Sequence, residues 1–188
     1  MDEFRIAIAL WDGVEELDFA GPYEVLTAWS RASERSIVIT PVARSGEPVT
    51  CSHGLRVIPD ADFDELGKVD LFVNPGGRVD PLLADAAYIE RLRAMAAAGT
   101  LMTSVCNGAL VLQQANLLDG KLATTHWGSY DRLEELGVTV DREARWVDEG
   151  SVVTSAGVSA GIDMALHLVA RLESDEMSAR IRRYIQLD

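Results

Sequence analysis

The stretch Ser104-Val105-Cys106-Asn107-Gly108 reads small, any, nucleophile, any, small. That is the pattern of a strand-to-helix elbow, a turn so tight that its flanks must be small for strand and helix to approach. Gly108 meets this need outright, and Ser104 nearly does. A helix starting just after Cys106 would aim its N-terminal N–H groups at the sulfur. This predicts a thiol acidified from about 8.5 into the range of about 4 to 7. A buried cysteine that merely fills core is the competing reading of the same five residues.

A nucleophile of this kind needs a proton donor, and Asp18 is the candidate. In Glu15-Glu16-Leu17-Asp18-Phe19-Ala20-Gly21-Pro22, Asp18 lies four residues before a proline. In a continuous helix, proline would remove the hydrogen bond to the Asp18 carbonyl and clash with it. A break near Gly21 is therefore expected, with Pro22 opening a new helix. Asp18 would then sit in a short turn between apolar neighbours. Desolvation and an adjacent thiolate would both raise its pKa, so that it holds a proton near neutral pH. The plainer alternative is that Asp18 caps the helix. Glu15 and Glu16 are expected to face solvent.

Elements in the right order must position these groups. Apolar and β-branched runs predict strands over 5–11, 36–43, 55–58, 69–73, 101–105, 122–125, 145–147 and 152–155. Helical stretches are expected over 22–32, 86–98, 108–115, 129–136, 159–172 and 174–186. Strands alternating with helices make an α/β fold with a mostly parallel sheet, read here as one domain over 1–188. Ligands collect beyond the carboxyl ends of such strands. The residues expected there are Asp18, the pair Gly76 and Gly77, Cys106, His126 with Trp127, and Ala156 with Gly157. The two glycines of Asn74-Pro75-Gly76-Gly77 permit the close backbone approach that an anion pocket needs. Trp127 offers an apolar wall for a substrate or simply core.

Composition removes several function classes. The chain of 188 residues carries a formal charge of −13, and no basic stripe interrupts its acidity. Nucleic acid and anionic membranes are disfavoured as partners. The uncharged run 94–118 contains Gly99, Thr103, Ser104, Asn107, Gly108 and three further amide residues, so it reads as buried helix, strand and helix rather than a membrane span. Two cysteines, Cys51 and Cys106, show no pairing framework and no metal-type spacing. A cytoplasmic protein with reduced thiols is expected.

Five segments in matching order, Glu16-Leu17-Asp18-Phe19-Ala20-Gly21-Pro22, Asn74-Pro75-Gly76-Gly77, the Cys106 elbow, the 119–127 stretch ending in His126-Trp127, and 155–163, resemble the ThiJ/PfpI superfamily over nearly the whole chain. Within it they are most similar to the isonitrile hydratase (isocyanide hydratase) branch. The resemblance implies a flavodoxin-like three-layer sandwich of the class I glutamine amidotransferase-like kind. It implies a homodimer, a small-molecule substrate, and neither cofactor nor metal. Cys106 would be the nucleophile and Asp18 the acid beside it. The backbone N–H groups of Gly77 and Asn107 would form an anion pocket, with His126 near the cysteine. Aspartate rather than glutamate at the acidic position matches the hydratase branch. Peptidase and amidotransferase relatives have a histidine directly after the cysteine or later in a triad; Asn107 departs from that. It also departs from the threonine of the hydratases. An oxidant or electrophile sensor and a glyoxalase-like enzyme acting on 2-oxoaldehydes would use the same residues. No helix-turn-helix segment appears in the sequence, which speaks against a transcription regulator.

Overall fold

A computed structural model describes residues 3–187. The strands are β1 (Phe4–Ala9), β2 (Ile37–Ala43), β3 (Val49–Thr50), β4 (Arg56–Val57), β5 (Ala61–Asp62), β6 (Leu71–Asn74), β7 (Leu101–Val105), β8 (Leu122–Ala123), β9 (Thr139–Val140), β10 (Trp146–Asp148) and β11 (Val152–Ser155). The α-helices are α1 (Glu16–Ala32), α2 (Asp80–Leu83), α3 (Ala86–Ala97), α4 (Gly108–Gln114), α5 (Tyr130–Glu135), α6 (Ala160–Leu172) and α7 (Asp175–Tyr184).

Runs such as Leu71-Phe72-Val73-Asn74 are buried at every position. Helices on both faces are the only cover that suits such strands, and they impose a parallel sheet. The main sheet has seven strands in the order β10-β11-β7-β6-β1-β2-β5. All neighbours are parallel except the β10–β11 pair at one edge. On one face Ile6, Ile8, Leu71, Val73, Val105 and Val153 pack with α1 and α6 residues such as Trp29 and Met164. On the other, Ala7, Ala9, Phe72 and Met102 pack with Leu92 of α3 and Leu110 of α4. The result is the flavodoxin-like α/β/α sandwich anticipated above. Phe72 is fully buried within this second layer. Phe72→Ala is therefore expected to cost about 3–5 kcal/mol of stability, checked by urea unfolding.

Several expectations need correction. The first strand stops at Ala9, short of Trp11. The 55–58 run does not join the main sheet; β4 pairs antiparallel with β3. The 122–125 run contracts to β8, which pairs with β9 in a separate ribbon. There Thr124 donates its N–H to Thr154 Oγ1 at 2.9 Å. The edge strand β5 had no counterpart in the sequence reading.

The largest correction concerns α1, which runs unbroken from Glu16 through Pro22. Packing against α6 explains why. A Cβ on Gly21 would lie 2.9 Å from Ile162 Cγ1, and one on Gly161 would lie 3.3 Å from Pro22 Cγ. The two glycines let the helices close on each other at the proline, and that burial outweighs the one lost hydrogen bond. Asp18 is thus in the first turn of a helix, not in a turn before one. No helix among the described residues is long and apolar enough to cross a membrane.

Candidate active site

β7 ends in Val105, and the next residue turns sharply. Cys106 adopts φ +58°, a left-handed conformation that costs an ordinary residue energy and marks a held turn. Backbone and side-chain hydrogen bonds hold it. Its N–H is shared between the carbonyls of Ser155 and Ala156, at 3.2 and 3.3 Å. Its own carbonyl accepts Thr125 Oγ1 at 2.7 Å. α4 begins at Gly108, where a Cβ would lie 2.3 Å from the Asn74 carbonyl oxygen and 2.5 Å from that of Pro75. Backbone cannot yield as a side-chain tip can. Gly108→Ala is therefore expected to destabilise the fold by about 3 kcal/mol, measured by thermal or urea unfolding. The elbow expected from Ser104 and Gly108 is present.

The turn after β6 faces this elbow. A Cβ on Gly76 would fall 2.4 Å from Asn107 Oδ1, 2.7 Å from Asp18 Oδ2 and 2.8 Å from Cys106 Cβ. Three of the expected site residues therefore converge on one glycine. The Gly76 N–H donates to Asp18 Oδ2 at 2.9 Å. Asp18 is wholly buried, and among the described residues its Oδ1 has no hydrogen-bond partner of good geometry. Its carboxyl is pushed up to about 7, by burial first, with the Glu15 carboxylate adding repulsion. The Gly76 and Val158 N–H groups and the Cys106 thiol pull the other way.

Cys106 is 8% exposed. Its thiol is pushed up to about 12, by burial and then by the negative charge of Asp18, against a single helping N–H from Asn107. This overturns the expectation of an acidified thiol. The elbow buries the sulfur too deeply, and its acidic neighbour is too close, for one amide and a short helix to prevail. What the geometry provides instead is a coupled pair. Cys106 and Asp18 together hold two protons below about pH 7 and one above it, and these steps belong to the pair rather than to either residue.

The anion pocket also needs correction. The Gly77 N–H donates to Asn107 Oδ1 at 2.9 Å, and Asn107 Nδ2 donates to the Gly77 carbonyl at 2.9 Å. The Gly77 N–H is thus taken up by Asn107, and the N–H that acts on the sulfur is that of Asn107. The cause is the amide side chain itself, which offers a donor and an acceptor at the spacing of a peptide.

The remaining residues lie around this centre. Ala156 supports the elbow through its carbonyl. A Cβ on Gly157 would lie 2.2 Å from His126 Cδ2, so the imidazole packs directly against that glycine. His126 Nδ1 accepts the Gly128 N–H at 3.2 Å, which leaves Nε2 to carry the ring proton of the neutral form. Trp127 lies 5.1 Å from the His126 ring, centroid to centroid, and is 75% exposed. It is neither core nor an enclosed wall.

Glu15 and Glu16 do not simply face solvent. Both are half-buried and share the single Ser52 hydroxyl donor, at 2.8 and 2.9 Å. Glu16 also accepts the His53 N–H and approaches His53 Nδ1 at 2.9 Å. Burial opposes its ionisation, but these bonds prevail and hold it at about 2. The pair fastens the 51–55 loop to the start of α1.

Two contributors escaped the sequence reading. Val158 has φ +54°, rare for a β-branched residue, and its N–H acts on Asp18. Asn74 is buried beneath the turn, accepting Tyr88 Oη at 2.7 Å and donating to the Pro75 carbonyl at 3.1 Å. Val158 acts through its backbone, which no side-chain type announces. Asn74 is readable only as the polar end of an apolar strand.

Comparison with known proteins gives concordant findings. The model of the DJ-1/PfpI family matches residues 4–171. An isonitrile hydratase from Pseudomonas putida is 40% identical over 169 residues, covering 89% of this chain and 72% of that protein. The HTH-type transcriptional regulator CdhR from Pseudomonas aeruginosa is 33% identical over 143 residues, 74% of this chain and 42% of the regulator. The crystal structure of a ThiJ/PfpI family protein from Pseudomonas syringae superposes with a TM-score of 0.88 at 32% identity, covering 100% of this chain and 76% of that one.

Proposed function

Since this chain belongs to the DJ-1/PfpI family, we propose that it is a cysteine-dependent isonitrile hydratase, which adds water to an isonitrile and releases an N-substituted formamide. The similarity to the Pseudomonas putida hydratase supports the substrate class. The observation that carries the reading is the dyad itself: a nucleophile on an elbow, with one buried carboxyl whose pKa of about 7 suits it to give and take a proton near neutrality.

The dyad's single proton serves the first step. The Cys106 sulfur bonds to the terminal carbon of R–N≡C, and that carbon receives the dyad's proton through Asp18. The product is a thioimidate, R–N=CH–S–Cys106, with Asp18 left as a carboxylate. Asp18 then takes a proton from water as the hydroxyl oxygen bonds to the same carbon, and passes it to nitrogen. The adduct R–NH–CH(OH)–S–Cys106 collapses. Its C–S electron pair returns to sulfur, the hydroxyl proton returns to the dyad, and R–NH–CHO leaves. One water is consumed and the enzyme is restored.

No oxyanion forms in this sequence, since the oxygen enters as hydroxyl and leaves as carbonyl. That agrees with the closed Gly77 N–H. Glyoxalase-like chemistry on 2-oxoaldehydes develops charge on a carbonyl oxygen and would want that donor free, so it is the weaker reading. Two unpaired thiols support a reducing, cytoplasmic setting. The net charge of −13 supports a small-molecule substrate over nucleic acid. A homodimer belongs to the same proposal, supported by the exposed Leu17 and Tyr23 on α1.

The test is formamide production from an aryl or alkyl isonitrile by the parent and by Cys106→Ala. The parent is expected to turn over, with Cys106→Ala reduced at least about 10³-fold. Equal product from both would exclude the mechanism.

A further inference from the structure

Asn107, the first residue after the nucleophile, makes contacts that give it a task of its own. Its side-chain amide meets both backbone polar groups of Gly77, donor to acceptor and acceptor to donor, at 2.9 Å each. The turn so gripped is held on its other side by the start of α1. Val14 and Gly77 form an antiparallel bridge, and the Glu15 N–H donates to the Gly76 carbonyl at 3.0 Å. Gly77 has φ +117°, and a Cβ there would strike the Gly13 carbonyl oxygen at 2.3 Å. The turn is therefore wedged between the elbow and α1, with the Gly76 N–H facing Asp18.

We propose that Asn107 is a positioning residue, which locks the Gly77 peptide to the elbow and thereby keeps the Gly76 N–H on the Asp18 carboxyl. It deepens the hydratase reading, but it concerns the dyad and stands or falls separately. The groups that act on Asp18 by charge or ionisation are Glu15, at the N-terminus of its own helix, and Cys106 on the elbow. Among the hydrogen bonds of the described residues Asn107 makes none to Asp18; it acts through the Gly76–Gly77 backbone.

The direction of the effect follows from the bond it protects. The Gly76 N–H stabilises the Asp18 carboxylate, so loosening the turn raises the pKa of Asp18. The dyad then gives up its first proton at higher pH. A purely structural role for Asn107 would lower stability and leave that midpoint in place.

The experiment is the pH dependence of Cys106 alkylation by iodoacetamide, located by peptide mass spectrometry, in the parent, Asn107→Ala and Asn107→Asp. Asn107→Ala is expected to move the midpoint upward by about half a pH unit or more. Asn107→Asp retains the acceptor for the Gly77 N–H but sets a carboxylate against the Gly77 carbonyl and the dyad, so its shift is expected to be larger. Should Asn107→Ala fail to fold, the uncharged Asn107→Ser, which cannot grip both backbone groups of Gly77, supplies the reading. Profiles that superpose on the parent's would overturn the proposal. A shifted profile in a protein without isonitrile turnover would uphold the clamp and discard the hydratase; an unmoved profile in an active hydratase would do the reverse.

Discussion

Asp18→Asn is expected to melt at a higher temperature than the parent at pH 8 and to lose isonitrile turnover. The Asp18 carboxyl titrates at about 7 in the folded chain, against about 3.9 when unfolded. The folded state therefore binds this proton more tightly. The stability linked to it is fully present below about pH 4 and is lost as pH rises to about 7. At pH 8 the parent carries a buried charge whose cost is about 2–4 kcal/mol. Asparagine keeps the carbonyl that accepts the Gly76 N–H and carries no charge. Its gain in stability should be full above pH 7 and fade towards pH 4, as thermal melts across that range would record. The same change leaves no group to shuttle protons, and turnover should fall by about 10²–10⁴-fold. An Asp18→Asn variant that is less stable at pH 8 would mean that the carboxyl is not strained by burial.

Gly76→Ala is the second large effect. The added methyl would enter within 2.4 to 2.8 Å of Asn107, Asp18 and Cys106 together. Asp18 is wholly buried, and the Cys106 backbone is hydrogen-bonded on both its N–H and its carbonyl, so neither can step aside. The turn must retreat, carrying the Gly76 N–H away from Asp18. Misplacement of this order is expected to lower kcat by about 10²-fold or more, with a stability loss of about 1–3 kcal/mol. Steady-state formamide kinetics beside urea unfolding would separate the two. Unchanged kcat would show that the three side chains do not act as one site.

The elements were legible where periodicity and length agree. The limits of β7 and β11 follow directly from apolar runs bounded by Thr100, Cys106, Ser151 and Ala156. The elbow was legible from Gly108 because its constraint is steric and local. α1 was misread because the local rule about Pro22 is true but small beside the burial won where Gly21 and Gly161 let two helices meet. That contact is 140 residues distant in sequence, and no window around Pro22 contains it. The thiol was misread for a related reason. The helix-terminus effect is visible in sequence, whereas burial of Cys106 and the nearness of Asp18 arise only on folding. The Gly77 donor was lost to Asn107 through a pairing 30 residues apart, which depends on the length of one side chain.

The sharing of one proton by Cys106 and Asp18 is tested most directly by following Cys106 ionisation and alkylation from pH 5 to 11 in the parent and in Asp18→Asn. The parent should gain reactivity in a step near pH 7, where the dyad gives up its first proton. In Asp18→Asn that step should vanish, with reactivity climbing only above the ordinary thiol range. Identical profiles in the two proteins, each with one step near an ordinary thiol's pKa, would contradict the shared proton and the mechanism built on it.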